Sequence, residues 1–127
     1  ANSLDGAGGD DTLAGAGGDD TLTGGGGADV FLFDAATAFD GVDTITDFNP
    51  GQGDKIDIRD ILSAYDSGTM MLDDFVQLTE AGGNTLVAID VNGATGGANF
   101  VQITVLSGVT GLGDADALAL AGRLLVE

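Results

Sequence analysis

Three aspartates recur at nine-residue intervals near the N-terminus: Asp11, Asp20 and Asp29. Each closes a glycine-rich run, in GAGGDDTLA over 6–14, GAGGDDTLT over 15–23 and GGGGADVFL over 24–32. A large apolar residue follows each acid by two positions, at Leu13, Leu22 and Phe31, and Asn2 and Leu4 carry the beat backwards. The start of the chain thus reads as part of a longer repeat array. Carboxylates locked in phase with tight glycine turns suit one chemistry, the oxygen coordination of a hard cation such as calcium. A flexible glycine linker has no reason to keep acids and aliphatics in register.

The rest of the composition narrows the field. The 127 residues contain no cysteine and no histidine, which removes thiolate and imidazole metal sites and the usual general base. A Ser or Thr nucleophile has no base to activate it, so no catalytic residues are expected and the chain reads as a non-enzyme. The formal charge is −18, with Lys55, Arg59 and Arg123 as the cationic side chains. That balance opposes nucleic acid and anionic membrane surfaces. It favours a cationic partner, without which the carboxylates repel one another and resist compaction. No apolar run reaches membrane-spanning length.

The elements that must position these acids follow from periodicity. Each nonapeptide splits into a six-residue turn and a three-residue strand whose middle side chain points inward. Two nonapeptides complete one coil, so positions 18 apart stack. Asp29 then lies above Asp11, and Asp20 above Asn2. Position 38, above Asp20, is Ala38 and offers no side-chain ligand, so the upper faces over Asp20 and Asp29 must borrow acids from later residues. Asp43 and Asp47 are the first choice, then Asp34 and Asp40, while Asp10 and Asp19 read as solvated.

Beyond the beat, strands are expected near Val42–Phe48 and Lys55–Ile58, with a turn at Asn49-Pro50-Gly51 and a helical turn capped by Asp60. Phe75–Glu80, Thr85–Val91 and Phe100–Leu106 read as antiparallel strands, joined by turns at Ala81–Asn84 and Asn92-Gly93. Asp73-Asp74 reads as a helix cap or a solvated pair. Asp114 is a helix cap ahead of Leu118 and Ala121, Gly122 a stop, and Arg123–Val126 a final strand. The expected fold is all-β: a short parallel β-roll running on into a β-rich, sandwich-like cap with one or two short helices.

The repeat fits G-G-x-G-x-D-x-U-x, with U a large apolar residue, and resembles the RTX (repeats-in-toxin) family of secreted bacterial proteins. The segment GGADVFLFDAATAFDGVDTITDFNPGQGDKIDI is similar to the region after the repeats in serralysin-type proteases. The stretches DILSAYDSG, NTLVAIDVNG and FVQITVLSGVTGL are similar to the C-terminal type I secretion target domain of large RTX adhesins and exoproteins. On that resemblance residues 1–33 are a calcium-binding roll, and 34–127 are the cap and secretion-signal region of one continuous fold.

The resemblance also implies ligands. The lower turn of a pair supplies its second and fourth carbonyls and its acid, and the upper turn its first and third carbonyls and its acid. Ala7, Gly9 and Asp11 would lie below Gly24, Gly26 and Asp29. A second pair sets Gly15, Gly17 and Asp20 above Asn2. The lower halves Ala16, Gly18 and Asp20, and Gly25, Gly27 and Asp29, await the borrowed Asp43 and Asp47. The implied cofactor is Ca2+, and the implied function is an export module unfolded at low calcium and folded outside the cell. The implied partner is a type I system of ABC transporter, adaptor and outer-membrane channel, which reads a signal near Arg123–Glu127. The chain is expected to be monomeric, and secreted or held at the bacterial surface. The alternatives are a structural cap that ends an adhesin array, or an adhesive ligand-binding module.

Overall fold

The computed structural model describes residues 2–62, 65–66, 68, 71–91, 100–113 and 115–126. The short strands of the repeats are β1 (Ser3–Asp5), β2 (Thr12–Leu13), β3 (Thr21–Thr23) and β4 (Val30–Leu32). The most buried residue of each is aliphatic or aromatic, Leu4, Leu13, Leu22 or Phe31, in a segment too short for a helix and well suited to one rung of a coil. β1 pairs parallel with β3 at Leu4↔Leu22, and β2 with β4 at Leu13↔Phe31. The chain therefore winds between two parallel sheets, and Leu13, Leu22 and Phe31 meet in the buried space between them.

Two further rungs leave the strict beat but keep its geometry. β5 (Asp43–Ile45) pairs with β3, and β6 (Lys55–Asp57) pairs with β4. Ile45 and Ile56 are fully buried beneath the same core that Phe31 and Phe48 share, their rings 6.3 Å apart. The turn at 49–53 forms because the Asn49 side chain accepts the Gly51 N–H and Pro50 presets the first 3₁₀ position. Among the described residues no helix starts at Asp60: Ile61 and Leu62 both donate to the Ile58 carbonyl in a turn, and Asp60 accepts the Ala35 N–H. Asp73 and Asp74 lie in a 3₁₀ turn at Leu72–Asp74, whose capping residue Met71 makes no side-chain cap bond.

The remaining strands are β7 (Val76–Ala81), β8 (Asn84–Ile89) and β9 (Val101–Leu106), antiparallel in that order. Gly82 and Gly83 both take positive φ, 60° and 83°, as a two-residue hairpin turn with the twist of its strands requires. β9 then pairs parallel with β5. The antiparallel unit is thus no separate layer: it extends one sheet of the roll to six strands, in the order β1-β3-β5-β9-β8-β7. A short helix, α1 (Ala115–Leu120), ends at Gly122 with φ 76°, where Gly122 donates to Ala119 and Arg123 to Leu118. That left-handed cap turns the chain into β10 (Leu124–Leu125), which pairs with β6 and closes the second sheet as β10-β6-β4-β2. Asn92-Gly93 and Asp114 lie outside the described residues.

Candidate metal centre

The turns stack in two columns. Turns 6–11, 24–29 and 46–54 form one, and turns 14–20 and 33–42 the other. In every turn of the strict repeat the second and fourth residues are left-handed: Ala7 and Gly9 at φ 68° and 97°, Ala16 and Gly18 at 68° and 101°, Gly25 and Gly27 at 88° and 107°. Ala7 and Ala16 thus hold a conformation that an alanine adopts at a cost of about 1–2 kcal/mol.

The acids form a hydrogen-bonded ladder up each column. The Asp11 N–H donates to Asp29 Oδ1 at 2.9 Å and the Asn2 N–H to Asp20 Oδ1 at 2.6 Å, both at a step of 18 residues. The next rungs follow different steps. The Asp20 N–H donates to Asp43 Oδ1, 23 residues on, and the Asp29 N–H to Asp54 Oδ1, 25 residues on. The acid over Asp20 is Asp43 instead of position 38, and Gly41 lies against the Gly18 carbonyl. Counting by nines or eighteens does not reach Asp54. Its signal lies elsewhere, because Asp43-x-Ile45 and Asp54-x-Ile56 repeat the acid-x-apolar phrase of Asp29-x-Phe31.

The ladder uses Oδ1 of Asp20, Asp29, Asp43 and Asp54, and Asp11 joins it through its N–H. Oδ2 of Asp11, Asp20 and Asp29 is buried and has no hydrogen-bond partner. Each of these oxygens lies over the glycine that opens its own turn. A Cβ on Gly6 would stand 2.6 Å from Asp11 Oδ2 and 2.8 Å from the Gly24 carbonyl oxygen. A Cβ on Gly15 would stand 2.7 Å from Asp20 Oδ2 and 3.0 Å from Asp43 Oδ2, and one on Gly24 would collide with Asp29 Oδ2. Glycine leaves these cradles open. Asp20 and Asp29 are at most 1% exposed, and the ion pair of the described residues joins Arg59 to Asp57, not to either of them. Burying carboxylates without compensating charge costs several kcal/mol per ion. Burial pushes the Asp29 carboxyl above its ordinary range, against the pull of the Asp11 N–H; the carboxylates of Asp54, Asp11 and Asp47 push the same way. Asp43 is raised by burial and by Asp20 and Asp19.

The donor set fits a hard cation. It is all oxygen, and among the described residues no three acids gather into one metal-binding group, so a bound ion must draw further oxygens from the backbone, as Ca2+ readily does. The carbonyl groups implied by the repeat stand between the turns. A Cβ on Gly25 would run into the Ala7 carbonyl and one on Gly27 into the Gly9 carbonyl, and the Ala7 carbonyl accepts the Gly26 N–H at 2.8 Å.

The other acids do different work. Asp10 and Asp19 are exposed, and they also bind the turns above them through the Ala28 and Val42 N–H groups, each at 2.8 Å. Asp47 gives one oxygen to each of the Gly24 and Gly25 N–H groups. Asp34 closes its own turn through Thr37, which holds its carboxyl below the ordinary range. Asp40 reaches over Gly17, its Oδ2 3.2 Å from where a Cβ would stand. Asp54 has both oxygens occupied, the second by the Asn49 N–H at 2.8 Å.

Comparison with known proteins agrees with this geometry. The family model of the RTX calcium-binding nonapeptide repeat, in four copies, matches residues 1–35. No curated protein matches the chain. The fold is similar to the solution structure of the AlgE6R3 subunit from the Azotobacter vinelandii mannuronan C5-epimerase, at 28% identity and a TM-score of 0.56. The match covers 97% of this chain and 66% of that one, so the chain spans just under two thirds of its neighbour's length. The N-terminal part of this chain is therefore built of RTX calcium-binding nonapeptide repeats wound into a β-roll, a repeat family that binds Ca2+.

Proposed function

We propose that this chain is the calcium-folded export module of a secreted RTX protein. The observation that carries the reading is the set of buried, unpartnered Oδ2 atoms on Asp11, Asp20 and Asp29, each over an open glycine. The repeat–repeat site uses Ala7, Gly9 and Asp11 from the lower turn and Gly24, Gly26 and Asp29 from the upper. Gly25, Gly27 and Asp29 form the lower half of the next site in the same column, where Asp47 accepts the Gly24 and Gly25 N–H groups. Calcium supplies the positive charge that these oxygens lack.

The charge of −18 and the 23 glycines oppose folding when that charge is missing, through self-repulsion and backbone entropy. Extracellular calcium modules bind at about 10⁻⁴–10⁻³ M, a range filled outside cells and empty in the cytosol. The chain then stays open for passage through a type I transporter, adaptor and outer-membrane channel, and folds on release because ligand binding to the native state alone shifts the equilibrium. The transporter reads the segment around α1 and β10. Circular dichroism and thermal melting of the chain at millimolar calcium and after chelation test the module. A β spectrum and melting temperature indifferent to calcium would overturn it. Fusion to an inert passenger tests export, and no transporter-dependent secretion would overturn that half.

A second reading, a structural cap without an export role, is favoured by β10, which seals the β6 edge of the roll. Secretion of the passenger also separates the two.

A further inference from the structure

We propose that β10 is a calcium-controlled latch, closed on the roll when the turns below it are loaded and open when they are not, so that the folded chain hides its own export segment. This rests on the function proposed above and names how its signal is regulated.

The end of the chain is anchored at two points with different hosts. Leu118 of α1 and Leu124 of β10 are 3% and 2% exposed. α1 packs on the 3₁₀ turn at Leu72–Asp74 and on β7, both outside the roll. β10 has one sheet neighbour, β6, which it meets at Leu124↔Ile56 and Leu125↔Asp57. The Arg123 and Leu125 carbonyls accept the Ile56 and Ile58 N–H groups at 2.8 and 3.0 Å. So short a strand has no stability of its own, and β10 is held only where β6 is in place.

β6 is in turn held by an acid that lacks a partner. The Lys55 N–H donates to the Asp29 carbonyl at 2.8 Å, and Asp54, just before β6, accepts the Asp29 N–H at 3.0 Å. Val30, Phe31 and Leu32 then pair with Lys55, Ile56 and Asp57. Asp29 is fully buried with its Oδ2 unpartnered, and the uncompensated burial of that charge works against the whole rung. With calcium, Asp29 fixes β4 and β6, and β6 offers its edge to β10. Without it the rungs loosen from Asp29 outward, and β10, on the shortest ladder, opens at the lowest cost. α1 stays on the antiparallel unit, whose buried Thr85 and Thr104 hydroxyls bond within the polypeptide. Opening presents Arg123 followed by Leu124, Leu125 and Val126, a cationic and apolar stretch. A transporter meets it on the calcium-free chain, and calcium outside the cell withdraws it after passage.

The chain has no cysteine, so single thiols report each region of the full chain. Leu124→Cys in β10, Leu22→Cys in β3 and Val87→Cys in β8 all start from buried positions. Each is reacted with iodoacetamide in millimolar calcium and after chelation. Chelation should speed labelling of Leu124→Cys and Leu22→Cys by about tenfold or more, and that of Val87→Cys far less. Asp54→Ala removes the acceptor that ties β6 to the Asp29 N–H. It should open Leu124→Cys even in saturating calcium and leave Leu22→Cys protected. If Leu124→Cys fails to fold in calcium, Val126→Cys, at a half-buried position two residues on, takes its place. Protection of Leu124→Cys that survives chelation while Leu22→Cys opens overturns the latch and spares the calcium module. Equal opening of Leu124→Cys and Val87→Cys also overturns the latch, because the whole chain then unfolds as one. Labelling of Leu22→Cys indifferent to calcium overturns the module itself.

Discussion

The roll and the antiparallel unit satisfy their buried polar groups in opposite ways. In the antiparallel unit the partners are internal. Thr85 donates to the Val109 carbonyl and Thr104 to the Asp43 carbonyl, both buried threonines. Asn84 and Glu80 accept the Gly108 and Gly111 N–H groups and fasten the loop after β9. In the roll, Asp11, Asp20 and Asp29 each keep one buried oxygen with no partner inside the protein. Unsatisfied buried polar atoms are rare in native proteins and call for an explanation. The difference teaches that the two regions share one sheet but not one source of stability. Among the described residues, the buried polar side chains of the antiparallel unit find partners within the polypeptide, whereas three buried carboxylate oxygens of the roll do not.

The largest expected effect breaks this comparison if it fails. Removing calcium should expose the amides of β3 and β4 to hydrogen exchange far more than those of β7 and β8. A site at a hundredfold calcium excess over its Kd contributes about 2.7 kcal/mol, or roughly a hundredfold in protection for amides that open with the roll. Exchange by mass spectrometry with and without chelator measures this. Equal loss of protection in both regions would mean that the six-stranded sheet behaves as one cooperative unit.

A paired substitution sharpens the comparison. Gly25 and Gly82 both have positive φ, 88° and 60°. A methyl group on Gly82 meets open space, whereas one on Gly25 runs into the Ala7 carbonyl below it. Gly82→Ala should cost about 1–2 kcal/mol, the left-handed penalty alone. Gly25→Ala adds a backbone clash between stacked turns and should cost roughly 3 kcal/mol or more, read as the shift in urea midpoint at saturating calcium. Similar costs would show that the turns of the roll have room to separate.

These contrasts mark what the sequence could and could not disclose. The rungs at Leu13, Leu22 and Phe31 were legible because acid and apolar residue recur at fixed spacing, and Gly82-Gly83 because two positive-φ residues are what a tight hairpin needs. The fixed spacing was also the source of error. Counting 18 from Asp20 lands on Ala38, but a coil is held in register by its strands, and its turns lengthen freely. Ile45 seats beside Leu22 and Ile56 beside Phe31, so the acid two residues before each is carried to the ladder whatever the loop length. Asp54 was legible in that phrase and not in the count. The parallel pairing of β9 with β5 was not legible, since alternation in Val101–Leu106 describes a strand without naming its neighbour.

A smaller effect distinguishes the regions by pH. The Asp29 and Asp43 carboxyls lie above the ordinary value of about 3.8 in the folded chain without metal. Between that value and the raised folded ones, the native state binds more protons than the unfolded state. The calcium-free chain therefore gains stability as pH falls through this window and loses it as pH rises. Asp57 works in the opposite sense: the Arg59 guanidinium holds its carboxyl low, so its contribution is present above the ordinary value and fades as pH drops below it. Thermal melts of dialysed, calcium-free protein should give a midpoint that rises as pH falls into the range of the raised carboxyls, and saturating calcium should reverse the order. A calcium-free midpoint that rises with pH would contradict the account of the buried acids.

The smallest effect concerns the alanines that stand where the third repeat has glycine. Ala7 and Ala16 occupy the same left-handed position as Gly25, at φ 68°, and their turns are the lowest of their columns in the two sheets. Ala7→Gly relieves about 1–2 kcal/mol of left-handed strain. It also frees the unfolded chain, which costs about 0.4–1 kcal/mol. The two changes nearly offset each other, so Ala7→Gly should shift the stability of the calcium-loaded chain by less than about 1 kcal/mol, towards stabilisation. The Ala7 carbonyl, which accepts the Gly26 N–H, is unchanged by the substitution, so calcium affinity should hold within about twofold, since roughly 0.4 kcal/mol is all that such a factor represents. A larger loss of affinity would show that the methyl group itself presets the turn for the ion, and that alanine at the second position is an adaptation of the lower turn rather than a tolerated strain.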